Sequence, residues 1–179
     1  MPYRYNLLNL CFSPNSLFQF THKEGEEIFI SGVNIPYIYY SMLFSTFSWQ
    51  VEELYMYGVN YIIEGEPKIW YSVSSKDFEK LEDYARKNSL NKFDIFNEIE
   101  ALEKAENEDK KTNLAYSNNL YQRYRVQFDP IVLNNSGIKV YRTVQYPGEL
   151  IVSLPKSYFM GFSTGQSKSE SVNFVVCYS

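Results

Sequence analysis

Residues 44–73 read FSTFSWQVEELYMYGVNYIIEGEPKIWYSV, a stretch dense in the aromatic and β-branched residues that fit a pleated, half-buried sheet. Strand-like character runs from Phe44 to Val73, with Glu66-Pro67 as a turn ahead of Lys68. Inside it, Gln50-Val51-Glu52 sets two polar side chains two residues apart, the spacing that points both to one side of a strand. On its own such a pair reads as two polar residues on a strand face.

The segments on either side extend the pattern. Upstream, Ile28 to Tyr40 is again rich in β-branched and aromatic residues and is broken by Gly32 and Pro36, which predicts two short strands around a bend. Residues 1–27 form a lead-in, with Leu7, Leu8, Leu10 and Phe12 before Pro14, then a charged loop from Lys23 to Glu27. Downstream, Ser74 and Asp77 have capping-box spacing, and Phe78, Leu81, Tyr84 and Ala85 share one helical face, predicting a surface helix over 75–87. Phe93, Phe96, Ile99 and Leu102 continue an amphipathic stretch that dissolves into the charge run 103–111, a solvated loop. A helical insert around 75–105, within an insert of helix and loop over 75–118, is therefore expected. Apolar character resumes at Phe128 to Leu133, Asn135 to Gly137 makes a turn, and strands are predicted at 138–145, 149–154 and 170–178. Strands, a helical insert and strands again give a mainly β sandwich in one domain over 1–179.

Composition narrows the functional classes. The net charge of -4 and pI near 5.1 supply no basic field for a polyphosphate, so no direct nucleic-acid partner is expected. Cys11 and Cys177 are too few for a disulfide framework and match no zinc spacing, which suits a reducing intracellular compartment. No apolar run approaches the roughly 20 residues that span a bilayer, and the N-terminus lacks a signal-peptide pattern, so no membrane partner is expected.

Three motifs carry a family likeness: SGVNIPYIYYSMLFSTFSW (31–49), YGVNYIIEGEPKIWYSV (57–73) and VYRTVQYPGELIVSLPKSYFMGF (140–162). Each resembles a segment of the JmjC domain, the iron(II) and 2-oxoglutarate oxygenase fold of histone lysine demethylases. Together they are most similar to the JARID group, which acts on methylated lysine in the histone H3 tail. The likeness runs from about Tyr5 to the last residue. It implies a double-stranded β-helix, a jelly-roll or cupin-like barrel with its site inside one open end.

The resemblance also implies where the chemistry should sit. The family binds iron with two histidines and one carboxylate, the first pair coming as His-x-Glu; here the pair is Gln50 and Glu52, and the third position, directly after Tyr158, is Phe159. A phenyl ring has no lone pair for a metal, and a neutral amide oxygen is a poor replacement for imidazole at iron(II). His22 is the only histidine in the chain and lies in the charged loop outside the motifs. No iron site and no catalytic residue are therefore expected. The ring of Phe159 is expected to fill the former metal cavity as a core aromatic.

Other positions keep the family pattern. Asn60 and Lys68 match residues that hold 2-oxoglutarate, Phe47 and Trp70 match aromatic walls of that pocket, and Tyr39 matches an aromatic near the methyl-lysine substrate. Lys68 could also be a surface lysine after the Glu-Pro turn, and Asn60 could instead hydrogen-bond the barrel backbone. Residues 163–168, STGQSK, depart from the family's asparagine-rich stretch, and SESVNF (169–174) returns to pattern.

The expectation is a nuclear JmjC-like domain, excised from a larger chromatin protein, that acts as a structural or interaction module without cofactor or with weak residual 2-oxoglutarate binding. Its partners would be chromatin proteins or the histone H3 tail. The rivals are a working oxygenase with an atypical metal site and a reader that binds a histone tail without altering it.

Overall fold

The computed structural model describes residues 6–11, 29–88 and 127–175. The expected helix through Phe93 to Leu102, the charge run 103–111, the loop holding His22, and Cys177 lie outside them. Among the described residues eight strands form, β1 (Tyr37–Ser41), β2 (Thr46–Gln50), β3 (Tyr57–Gly65), β4 (Lys68–Val73), β5 (Val140–Gln145), β6 (Leu150–Ser153), β7 (Tyr158–Ser163) and β8 (Ser167–Phe174). They make two four-stranded antiparallel sheets, in the orders β1-β8-β3-β6 and β2-β7-β4-β5. This is the mainly β, jelly-roll arrangement that the sequence predicts.

Alternation along the strands around the site separates an outer apolar face from an inner face that mixes aromatic and polar residues. On β4, Lys68 and Trp70 line the space between the sheets while Val73 joins the outer core. On β7, Tyr158 and Met160 face outward into that core, and Phe159 faces the cavity. The helix Phe78–Asn88 covers this outer face with Phe78, Leu81 and Ala85, all buried. Ser74 does cap its start, the hydroxyl accepting from the Lys76 amide at 3.3 Å across a 3-10 turn over Ser75–Asp77, but the Asp77 carboxylate of the expected capping box pairs with Lys80 at 2.6 Å instead. A smaller cluster on the other sheet packs Val59, Tyr61 and Val172 beneath Leu7 and Cys11 of the short helix Leu7–Cys11.

The strand assignments need three corrections, and one helix is added to them. Only one strand, β1, follows the bend at Gly32; the residues before it form a turn closed by a single Ser31–Ile35 bridge. The segment 158–163, read above only as a motif, is the strand β7 at the centre of its sheet. The last strand starts at Ser167 rather than 170, its serines belonging to the inner face. Where apolar character resumes, a short helix forms, Pro130–Asn135, because Pro130 stands at its first turn and Asp129 caps it by accepting from the Ile131 amide at 2.7 Å.

Candidate functional site

Gln50, the last residue of β2, and Phe159 of β7 are paired across the antiparallel ladder. The register shifts between Phe47 and Gln50, and this irregularity changes the phase of the strand. Phe47 and Gln50, three residues apart, consequently both line the cavity, while Trp49 between them is fully buried in the outer core with its indole N–H donating to the Phe128 carbonyl at 3.0 Å. Glu52 also lines the cavity, as the two-residue spacing predicts, though it lies beyond the end of β2, where the chain enters the 3-10 turn Glu53–Tyr55. Leu54 and Tyr55 follow in the left-handed region, at φ of 51° and 53°, a tight and strained turn that leads into β3.

The Glu52 carboxylate is committed to protein partners. It accepts from the Ser153 hydroxyl on β6 and from Nδ2 of Asn173 on β8, the latter at 2.9 Å. Burial pushes its carboxyl above the ordinary range, opposed by those two hydrogen bonds. Gly58 makes the arrangement possible, because any Cβ at that position would occupy the space of the carboxylate.

Phe159 stands among aromatic neighbours, its ring centroid 6.2 Å from Phe47 and 5.8 Å from Trp70, with Phe47 and Trp70 4.7 Å apart. Gly161, the partner of Phe47 across the ladder, leaves the room in which the Phe47 ring sits. The Trp70 indole N–H donates to Gln145 Oε1 at 2.8 Å, and Gln145 Nε2 donates to the Asn60 carbonyl at 3.0 Å. Gln145 is fully buried and thus ties the two sheets together behind the cavity.

Lys68 is 5% exposed, so it is no surface lysine. Its ammonium donates to the Ser169 hydroxyl at 2.5 Å, forms no ion pair with a described carboxylate, and is pushed down to about 8 by burial. The Asn60 side-chain oxygen is buried without a hydrogen-bond partner among the described residues. Tyr39, on the edge strand β1, lines the mouth, its ring 6.0 Å from the Lys68 ammonium. All eight residues singled out in the sequence, Tyr39, Phe47, Gln50, Glu52, Asn60, Lys68, Trp70 and Phe159, line one cavity of about 350 Å³. Those that sequence reasoning missed are Gln145, Ser153, Ser169 and Asn173; each lies on a strand inside a family-like segment but is an ordinary polar residue that nothing in the segment singles out.

Comparison with known proteins matches residues 37–174 to the JmjC domain family, described as JmjC domain, hydroxylase. The chain belongs to the JmjC family. It is 35% identical over 169 residues to an Arabidopsis thaliana protein named as a lysine-specific demethylase, JMJ16, covering 94% of this chain and 12% of that relative. It is 36% identical over 169 residues to the lysine-specific demethylase JMJ703 of Oryza sativa subsp. japonica, again covering 94% of this chain and 12% of the relative. The JmjC chain thus spans about an eighth of the length of these relatives.

JmjC proteins use iron(II) and 2-oxoglutarate, and the donor set here can be tested against both. Among the described residues no three His, Cys, Asp or Glu side chains are grouped to hold a metal ion. The cavity offers a neutral amide, a phenyl ring and a carboxylate already engaged by two donors, a set that does not fit iron(II). The buried ammonium of Lys68, with no described carboxylate paired to it, does fit an anionic group, whereas the unpartnered Asn60 oxygen is an acceptor that calls for a donor.

Proposed function

We propose that this JmjC barrel has lost the family's iron centre, its ligand positions being occupied by Gln50, Glu52 and Phe159, and that it serves as a non-catalytic interaction module of a nuclear, chromatin-associated protein related to the JARID group. The observation that carries the reading is the pairing of Gln50 with Phe159. Two of the three positions that the resemblance assigns to iron ligands face one another across one ladder, and neither side chain supplies a nitrogen lone pair. The Phe159 ring instead packs against Phe47 and Trp70, where burial of its surface contributes about 1.5–3 kcal/mol to the fold.

Loss of metal also removes the chelating partner of a keto acid, so binding of 2-oxoglutarate through Lys68 and Asn60 is weakened by more than the ~10–100-fold that changes around a ligand shell cost. Partners of this chain, the histone H3 tail among them, would engage the rim near Tyr39 without being altered.

The test is metal loading under anaerobic conditions with manganese(II) or iron(II) and excess 2-oxoglutarate, read by metal analysis after desalting, beside a demethylation assay on methylated H3 peptides. Absence of stoichiometric metal and of product is expected. One tightly held metal per chain, or any enzyme-dependent demethylation, overturns the proposal.

A further inference from the structure

The strand β1 forms one edge of its sheet and is exposed along both of its faces. Tyr37 and Tyr39 point one way, their ring centroids 5.8 Å apart, and Ile38 and Tyr40 point the other. The turn that follows adds Met42, Leu43 and Phe44, and all seven side chains are at least 44% exposed. Apolar side chains open on both faces mark a missing neighbour along the edge, because an adjacent strand shields both faces at once.

The other three edges carry protection that β1 lacks. The β2 ladder breaks register, β5 holds the exposed Arg142, and β6 has only four residues and follows Glu149 directly. Irregularity, charge and shortness are devices that keep an edge from pairing with another chain. In contrast, β1 pairs with β8 through five consecutive residues without a shift, Pro36 lies outside that ladder, and residues 28–51 carry no charged side chain. No described strand lies beyond β1, so the ladder is open to one more. The adjoining turn is also held in a fixed shape. Phe44 stands at φ 61°, strained for a bulky residue, its amide donates to the Ser163 carbonyl at 2.9 Å, and its ring lies 6.1 Å from Phe162. The Met42 amide donates to the Ser45 hydroxyl at 3.0 Å. Apolar side chains on a turn tied down in this way meet a partner without the cost of ordering a loop.

We propose that β1 is an interface between two copies of this chain, paired antiparallel about a two-fold axis at Tyr39, so that two four-stranded sheets join into one of eight strands. In this register Tyr39 meets the partner's Tyr39, and Tyr37 meets the partner's Ser41. Ile38 meets the partner's Tyr40, an aromatic and β-branched pair of the kind that stabilises antiparallel ladders. On β8, Glu170 stands beside Ile38 and Lys168 beside Tyr40, so each row across the seam ends in opposite charges and no like charges are brought together. At about 200 Å² for a whole side chain of this size, the seven residues expose on the order of 800 Å² per copy. Covering most of that area on both copies exceeds the roughly 1,000 Å² total that a specific interface needs. Tyr39 also lines the cavity mouth, so the two mouths open side by side across the tyrosine pair. The inference is independent of whether the iron centre is lost.

The experiment is sedimentation equilibrium of the full chain from about 1 to 100 μM, the upper end lying above the μM to pM dissociation constants of interfaces this size. A reversible species of twice 21.1 kDa is expected to dominate at the upper end. The double variant Ile38→Lys, Tyr40→Lys sets lysines directly opposite one another at two places in the seam. Both positions are exposed, so it is expected to stay folded by circular dichroism and to dimerise at least about ten-fold more weakly. The register is read by cross-linking under mild oxidation. Tyr39→Cys is expected to give a disulfide-linked dimer, since directly opposed residues have Cα atoms about 4.5–5.5 Å apart, whereas the cysteines of Tyr37→Cys would lie ~14 Å apart and stay unlinked. A monomer at every concentration, a folded double variant that dimerises as tightly as the parent, or cross-linking at position 37 in preference to 39 would each overturn the proposal.

Discussion

Gln50 and Phe159 are cross-strand partners in the β2–β7 ladder, with Glu52 lining the same cavity two residues beyond Gln50. On the function proposed above, these three positions share one cavity and differ from a facial triad in their side-chain chemistry. Replacing both residues, in a Gln50→His, Phe159→His double variant, is expected to restore stoichiometric manganese(II) binding, with Ser153 and Asn173 serving to orient Glu52. Either single variant is expected to bind no metal after desalting, since two donors without a third do not complete the site. Metal analysis of the three variants decides the matter, and a double variant that folds but stays metal-free would show that the backbone is not preserved.

Phe159 has become part of the packing, so its removal should be felt in stability. Phe159→Ala is expected to cost about 3 kcal/mol, at the low end for a buried Phe because one side of the ring meets the cavity. Urea denaturation monitored by circular dichroism reads this directly. A change below ~1 kcal/mol would mean that the ring contributes little to the core.

Much of the fold was legible because its signals are local. The aromatic and β-branched runs named β3 and β4, and Ser74 with the Phe78, Leu81, Ala85 face named the helix that covers the sheet. The strand β7 was missed because YFMGFS is apolar on both faces, the mark of a central strand covered on each side, and lacks alternation. At the site, Gln50, Glu52 and Phe159 were readable only because flanking motifs placed them. Gln145, Ser153, Ser169 and Asn173 were not, since their roles come from partners 75 to 121 residues away in sequence. The shift between Phe47 and Gln50 was equally hidden, because an irregularity exists only relative to the partner strand.

The Gln145 side chain accepts from the Trp70 indole N–H and donates to the carbonyls of Asn60 and Glu149, the last at 3.1 Å. Gln145→Leu keeps the volume but leaves the Trp70 indole N–H without its acceptor and the Asn60 carbonyl without the side-chain amide. A loss of about 2–4 kcal/mol is expected, from roughly 1–3 kcal/mol for each buried group left unpaired. Tryptophan near-ultraviolet dichroism should change with it, as Trp70 loses its fixed orientation. A variant as stable as the parent would remove Gln145 from the role of inter-sheet tie.

On the other side of the same sheet, Tyr158 donates to the buried Glu82 carboxylate from the covering helix. Burial raises the Glu82 carboxyl above its ordinary 4.5 and the Tyr158 hydrogen bond lowers it, burial being the larger effect. With the folded value raised, stability from this group is fully present below about 4.5 and declines as pH climbs through the folded value. Tyr158→Phe removes the opposing hydrogen bond, so its penalty is expected to be about 1–3 kcal/mol at pH 7 and smaller at pH 4. Thermal unfolding of parent and variant at the two pH values tests the sign, and an equal penalty at both would sink the assignment.

Lys68 gives the converse case. Burial lowers its ammonium from 10.5 to about 8, so between those values the unfolded chain holds a proton that the folded chain has released. Stability therefore rises with pH across that window, while below about 8 the full cost of burying the charge is present. At ~1.4 kcal/mol per pH unit that cost is about 3 kcal/mol. Lys68→Met removes it but leaves the Ser169 hydroxyl without its donor, so a net gain of about 1–2 kcal/mol at pH 7 is expected, shrinking toward pH 10. Urea titrations of parent and variant at pH 7 and pH 10 measure both the gain and its decline. A variant less stable than the parent at pH 7 would mean that the ammonium already has a counter-charge in the folded chain, and the free positive corner of the cavity would have to be given up.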